Sequence, residues 1–130
     1  MVLDTSALMA LLGMEPEAAR LAAAIEADAT RLLSAATLVE VGLVVESRYG
    51  PAGGRELDLL IAKAEIAIEA VTPQHADIAR EAWRRFGKGR HAAGLNPGDC
   101  FSYALAKSSG EALLFKGNDF TQTDIAAVVY

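Results

Sequence analysis

The chain has 130 residues, a formal net charge of −5, 52% hydrophobic residues and a single cysteine. That length predicts one domain, 1–130, with a self-sufficient core, and the apolar content excludes a disordered chain. The acidic balance excludes a protein that coats DNA with a broad basic surface, the lone Cys100 excludes an internal disulfide or a Cys-based zinc site, and no apolar run is long enough for a membrane span.

Met1 to Leu3 reads as a short buried strand ending at Asp4. Thr5 and Ser6 offer N-caps for a helix through Leu12, which Gly13 ends. Glu15-Pro16-Glu17 opens a second helix to about Asp28, with proline in its first turn and acids at the positive dipole end. Arg31 to Ala35 is a second strand. From Thr37 a helix runs to Tyr49, Gly50-Pro51 stops it, Gly53-Gly54 marks a loop, and Arg55 to Glu65 is helical again. Ile66 to Val71 alternates as a strand, Thr72-Pro73 caps a helix to Gly87, and Lys88 to Gly98 is a loop. Asn96 caps the next helix, with Pro97 at its first position and Asp99 to Ser108 as its body. Ala112 to Phe115 is a strand, Gly117-Asn118-Asp119 turns out of it, and Ala126 to Tyr130 is a final edge strand. Short strands alternating with helices imply an α/β domain, a mostly parallel sheet with helices on both faces.

Four acids stand beside apolar or strand-like runs. Asp4 follows Met-Val-Leu, Glu40 interrupts a helix of Val and Leu, Asp99 opens an apolar helix, and Asp119 lies just past the strand Ala112 to Phe115. An unpaired buried charge costs several kcal/mol or more, and no Lys or Arg lies close in sequence to Asp4, Glu40 or Asp99. A shared divalent cation would neutralise the set, and oxygen ligands suit Mg²⁺ or Mn²⁺. In parallel sheets ligands bind outside the carboxyl ends of the strands, where topology puts three of the four acids and where the Asp99 helix start can reach. Each acid also has a purely structural reading: Asp4 as a helix N-cap, Asp99 as a carboxylate on the helix dipole, Asp119 as a turn residue, Glu40 as a solvated helix residue. Asp124, after Thr-Gln-Thr, reads as a capping or solvated acid, His75 as a structural residue at a helix start, and Cys100 as a small packed residue.

The blocks Val2-Leu3-Asp4-Thr5-Ser6-Ala7-Leu8, Gly13-Met14-Glu15-Pro16-Glu17, Ala36-Thr37-Leu38-Val39-Glu40, Leu95-Asn96-Pro97-Gly98-Asp99-Cys100-Phe101-Ser102 and Leu113-Leu114-Phe115-Lys116-Gly117-Asn118-Asp119-Phe120 carry a resemblance. In order and spacing the chain resembles the PIN-domain family over nearly its whole length, and closely the VapC-type toxins of bacterial toxin–antitoxin pairs. The resemblance implies a PIN-like three-layer fold and a Mg²⁺-dependent endoribonuclease, Mn²⁺ being the other metal, that hydrolyses phosphodiester bonds with metal-activated water. By it, Asp4, Glu40, Asp99 and Asp119 are the catalytic and metal-binding acids. It further implies products with 5′-phosphate and 3′-hydroxyl ends, a VapB-type antitoxin partner and a homodimer. One departure concerns Gly117, where many relatives carry an acid or polar residue, with Asn118 beside it placed to assist through water.

Thr5 and Ser6 stand as supports that hydrogen-bond a ligand or phosphate, or as plain N-caps. Backbone phosphates need cations, and the candidates are Arg84, Arg85, Lys88 and Arg90 with Lys116 beside the site; an exposed helix face is the alternative. A lone thiol and the lack of a leader-like N-terminal segment set the expected location in the cytoplasm. Two other readings of the acids are a Mg²⁺-dependent DNA or flap nuclease of similar fold and a catalytically silent α/β interaction module.

Overall fold

The computed structural model describes residues 1–130. Its strands are β1 Val2–Leu3, β2 Leu32–Ser34, β3 Ala67–Glu69 and β4 Leu113–Leu114, and its helices are α1 Thr5–Leu12, α2 Ala18–Ala27, α3 Ala35–Lys63, α4 Pro73–Phe86 and α5 Pro97–Ser109. The four strands form one sheet in the order β3-β2-β1-β4, with every pairing parallel.

Side chains alternate across a strand, and here the alternation sorts them into two cores. Met1, Leu3, Leu33 and Leu114 pack on one face with Leu8, Leu21, Ile25, Val41, Val45 and Leu57 from α1, α2 and α3. Val2 and Leu113 pack on the other with Ala82, Phe86, Tyr103 and Leu105 from α4 and α5. The result is the expected three-layer α/β arrangement. The helix starts follow their caps: Thr72 accepts from the His75 amide, and Asn96 from the Asp99 amide. His75 is structural as expected, its Nε2 lying 2.8 Å from Ser108 Oγ.

Three local expectations need correction. The cap of α1 is Asp4, whose carboxylate accepts from the Ser6 amide, rather than Thr5 or Ser6. Gly50-Pro51 does not stop α3 but bends it: Gly50 alone is non-helical, at φ 70, and the helix resumes at once through Gly53 and Gly54, which are not a loop. Those glycines mark close packing at the bend, since a Cβ on Gly53 would fall 2.8 Å from Tyr49 Cβ. Finally, Ala126 to Tyr130 does not form a full strand. It lies beside β4 as expected but makes only one parallel bridge, Leu113 to Ala127, before Tyr130 turns its hydroxyl to the Phe115 carbonyl at 3.1 Å.

β1 is the strand from which the order runs both ways, to β2 on one side and β4 on the other. Such a switch point opens a crevice at the carboxyl ends of the strands. Asp4 sits at that end of β1, with its amide bonded to the Leu114 carbonyl at 3.0 Å.

Candidate active site

The sequence places each acid by a different device. Asp4 ends β1 and caps α1. Glu40 is in the second turn of α3, which the buried Ser34 cap starts at the end of β2. Asp99 is the third residue of α5, in a reciprocal capping box: its own amide donates to Asn96 Oδ1 at 2.8 Å, and its carboxylate accepts from the Asn96 amide at 2.9 Å. Asp119 follows β4 in an exposed turn.

Asp4 is 3% exposed and Asp99 7%, and neither is paired with a cation. Asp4 is stabilised instead by hydroxyls. Ser6 Oγ donates to one carboxylate oxygen and Ser102 Oγ to the other, each at 2.6 Å, and Thr37 Oγ1 lies 3.3 Å from Ser102 Oγ behind it. Ser6 Oγ also accepts from the Lys116 amide at 3.0 Å, so the start of α1 is tied to the segment that leads to Asp119.

Glu40 is half-buried, with its carboxylate directly over the N-terminal turn of α5. Gly98 makes that possible, since a Cβ there would overlap the Glu40 carboxylate. Burial pushes the Glu40 carboxyl above its ordinary range and the Asp4 charge pushes it further, while the Thr5 hydroxyl dipole opposes both. That hydroxyl is buried and makes no hydrogen bond of normal geometry. Burial is also the main cause that raises Asp99, opposed by the Asn96 amide and reinforced by Asp4, Asp119 and Glu40, and the carboxyl is pushed up to about 7.

The four acids therefore surround one region closely enough to feel one another. As the side chains stand, no three acidic, His or Cys groups are drawn into chelating geometry. Asp4 is turned to Ser6 and Ser102, and Asp99 to Asn96. The donor set still fits a hard divalent cation: oxygen ligands only, mutual repulsion that a cation would relieve, and a buried Thr5 hydroxyl without a partner beside Glu40.

The sequence profile of the PIN domain matches residues 1–126. The chain belongs to the PIN-domain family. This PIN domain is 59% identical over 128 residues to ribonuclease VapC30 of Mycobacterium tuberculosis, covering 98% of each chain. It is 58% identical over 128 residues to ribonuclease VapC of Mycolicibacterium smegmatis, covering 98% of this chain and 99% of the relative. In three dimensions it matches the crystal structure of Mycobacterium tuberculosis VapC20, a sarcin–ricin loop cleaving toxin, with a TM-score of 0.78 at 18% identity over 98% of this chain and 97% of the other. A toxin–antitoxin complex from Klebsiella pneumoniae matches with a TM-score of 0.73 at 18% identity, over 99% of this chain and 97% of the other. The first two likenesses set this PIN domain among the VapC ribonucleases, as a hydrolytic endoribonuclease of the toxin type. The latter two bear on its fold.

The other residues singled out in sequence are distributed around this PIN domain. The Lys116 ammonium is latched to Glu15 and, at 3.3 Å, to Glu17. Arg84 pairs with Glu81 at 2.7 Å, Arg85 with Asp124 at 3.6 Å, and Lys88 and Arg90 are exposed without an ion pair. Asn118 is exposed, and its carbonyl accepts from Thr121. Sequence reasoning missed Ser102, Thr37 and Gly98. Ser102 lies one turn after Asp99 and Thr37 one turn before Glu40, so a small hydroxyl one helical turn from each acid was the available signal. Asp124 is exposed, as expected of a solvated acid, but it is also bound. It accepts from the Tyr103 hydroxyl at 2.6 Å and pairs with Lys107 at 2.9 Å, which fastens the segment after Asp119 to α5.

Proposed function

We propose that Asp4, Glu40, Asp99 and Asp119 hold the divalent metal, Mg²⁺ or Mn²⁺, with which this VapC-type ribonuclease cleaves RNA as the toxin of a toxin–antitoxin pair. The observation that carries the reading is the convergence of the four acids at the switch point, where Asp4 and Asp99 are buried with no cation beside them. When bound, such an ion supplies a hydroxide at neutral pH and neutralises charge at the scissile phosphate.

The protein's own contribution is to orient and to exchange protons. Ser6 and Ser102 fix both oxygens of Asp4, so that carboxylate is preorganised. Gly98 admits the Glu40 carboxylate to the start of α5. Asp99 gives one oxygen to the Asn96 amide and keeps the other for the site. Burial pushes its carboxyl up to about 7, and it would hold a cation as the deprotonated carboxylate. Thr5 and Asn118 serve as further polar contacts to ligand or phosphate, and of the five basic candidates Lys88 and Arg90 are free to attract the RNA backbone, while Arg84, Arg85 and Lys116 are held in ion pairs. The whole chain, 1–130, works as one domain, in the cytoplasm, as a homodimer and with a VapB-type antitoxin. Its names-in-kind and the toxin–antitoxin complex it resembles support that partner, and no helix is long and apolar enough to cross a membrane.

The test is cleavage of total RNA by the purified chain with Mg²⁺, with Mn²⁺ and with EDTA, beside Asp99→Asn. Discrete fragments that require both metal and Asp99 are expected. Cleavage that survives EDTA or Asp99→Asn refutes the metal reading, and cutting of DNA in place of RNA would favour the flap-nuclease alternative.

A further inference from the structure

Lys116 grips α1 at both ends. Its amide donates to Ser6 Oγ at 3.0 Å, and that hydroxyl donates to Asp4 Oδ2 at 2.6 Å. Its ammonium reaches past the other end of α1, to Glu15 and, at 3.3 Å, to Glu17 at the start of α2. Glu15 is itself fixed on α1: Met14 reverses the chain at φ 49, and the Glu15 amide returns to the Ala10 carbonyl at 3.0 Å. Directly after Lys116, Gly117 turns the chain at φ 100, and Asp119 follows two residues later. Phe120 closes that turn, its ring 5.1 Å from that of Phe115 on the other side of Lys116. Lys116 thus fastens the segment that carries Asp119 to the helix that Asp4 caps.

We propose that Lys116 is a positioning residue for the ribonuclease reaction: its ion pairs with Glu15 and Glu17 hold its amide on Ser6, and so set where Asp4 and Asp119 stand relative to one another. The inference rests on the reading that those acids bind a divalent metal and cleave RNA. The three side chains of the latch are partly exposed, and ion pairs so placed add little to stability. Loss of a group that orients a metal ligand, by contrast, typically costs about 10–100-fold in metal affinity or activity. The latch therefore matters more to the reaction than to the fold. An ammonium shared by two carboxylates is also a poor partner for a phosphate, which separates Lys116 from Lys88 and Arg90, exposed and in no ion pair.

The test is a double-mutant cycle on the full chain: Lys116→Met, the pair Glu15→Gln with Glu17→Gln, and all three together. Readouts are kcat and KM on the RNA that the wild type cuts, Mn²⁺ affinity by calorimetry without RNA, and thermal melting in EDTA. Every variant is expected to lose about tenfold in kcat and in Mn²⁺ affinity. KM and melting should stay close to wild type, and the combined variant should be no worse than either part. Lys116→Arg, which keeps a cation within reach of both glutamates, should recover most of both losses. The two halves of the cycle change the charge beside the site in opposite directions, so a bare electrostatic effect would move Mn²⁺ affinity up in Lys116→Met and down in the glutamine pair. That pattern would overturn the latch. So would additive losses, a kcat loss that follows a fall in melting temperature, or a KM that rises in Lys116→Met and falls in the glutamine pair, which would return Lys116 to the phosphates. A wild-type chain that neither takes up Mn²⁺ nor cleaves RNA would refute the metal reading beneath the proposal, a result distinct from these.

Discussion

Replacing Asp99 by Asn tests the electrostatics of the site without chemistry. The substitution removes the charge and keeps an oxygen able to accept from the Asn96 amide, so the capping box survives. In the folded, metal-free protein the Asp99 carboxyl lies at about 7 against an ordinary 3.8. Because the folded value is the higher one, the native state holds this proton longer than the unfolded chain. Its effect on stability is therefore neutral at acid pH, grows unfavourable as pH rises between the two values, and levels off above the folded one. The unscreened limit is about 4 kcal/mol. Water at the rim of the site, next to exposed Asp119, reduces this to about 1–2 kcal/mol. Urea unfolding in EDTA should thus give wild type and Asp99→Asn nearly equal stabilities at about pH 3, below the ordinary carboxylate value, and a variant more stable by about 1–2 kcal/mol at about pH 8. Added Mg²⁺ should raise the wild type at the higher pH and leave the variant nearly unchanged. A stability difference of the same size at both pH values would refute the reasoning.

Glu40→Gln should leave the metal-free melting temperature unchanged or raise it, since burial and the Asp4 charge oppose its ionised form; a large drop in a thermal scan would instead give Glu40 a structural role. Gly98→Ala should keep or raise helix stability by up to about 1 kcal/mol while cleavage falls on the order of 10²-fold, because the new methyl displaces the Glu40 carboxylate. Undiminished cleavage of total RNA by that variant would remove Glu40 from its assigned place. Ser102→Ala leaves Asp4 with one fewer donor and should cost about 1–3 kcal/mol in urea unfolding, with cleavage reduced but not abolished.

The elements were legible where a local signal decides them. Thr72-Pro73 and Asn96-Pro97 start helices through side chains and a proline that act within one turn. The bend of α3 was not, because Gly-Pro and Gly-Gly signal a break in either a loop or a close-packed kink, and only Tyr49 and Val45 against Gly53 tell them apart. The last segment alternates like a strand but makes one bridge, and its end is set by Tyr130 reaching Phe115, a tertiary contact no local pattern encodes. In the site, the four acids were legible because each lies at a strand end or early in a helix. The hydroxyl supporting Asp4 was hidden, since Ser102 lies 98 residues away in sequence. Lys116 looked free for RNA, but Glu15 and Glu17, distant in sequence, hold it.

The structural and chemical readings of the acids, alternatives when only the sequence is read, turn out to be compatible. Asp4 caps α1, and Asp99 closes the capping box of α5, each with one oxygen directed at a backbone amide. A helix N-terminus favours an anion, so both carboxylates receive part of their desolvation back from the helices they begin. Glu40 has no such amide, and the only group opposing its rise is the Thr5 hydroxyl. Substitution by alanine would therefore confound chemistry with folding at Asp4 and Asp99, where a cap is lost at about 1 kcal/mol, but much less at Glu40. The asymmetry is itself measurable: Asp4→Ala and Asp99→Ala should destabilise relative to their Asn counterparts, whereas Glu40→Ala and Glu40→Gln should differ little. Equal gaps between the Ala variant and the amide variant at all three positions would mean that the caps contribute nothing and that the acids are held by the site alone.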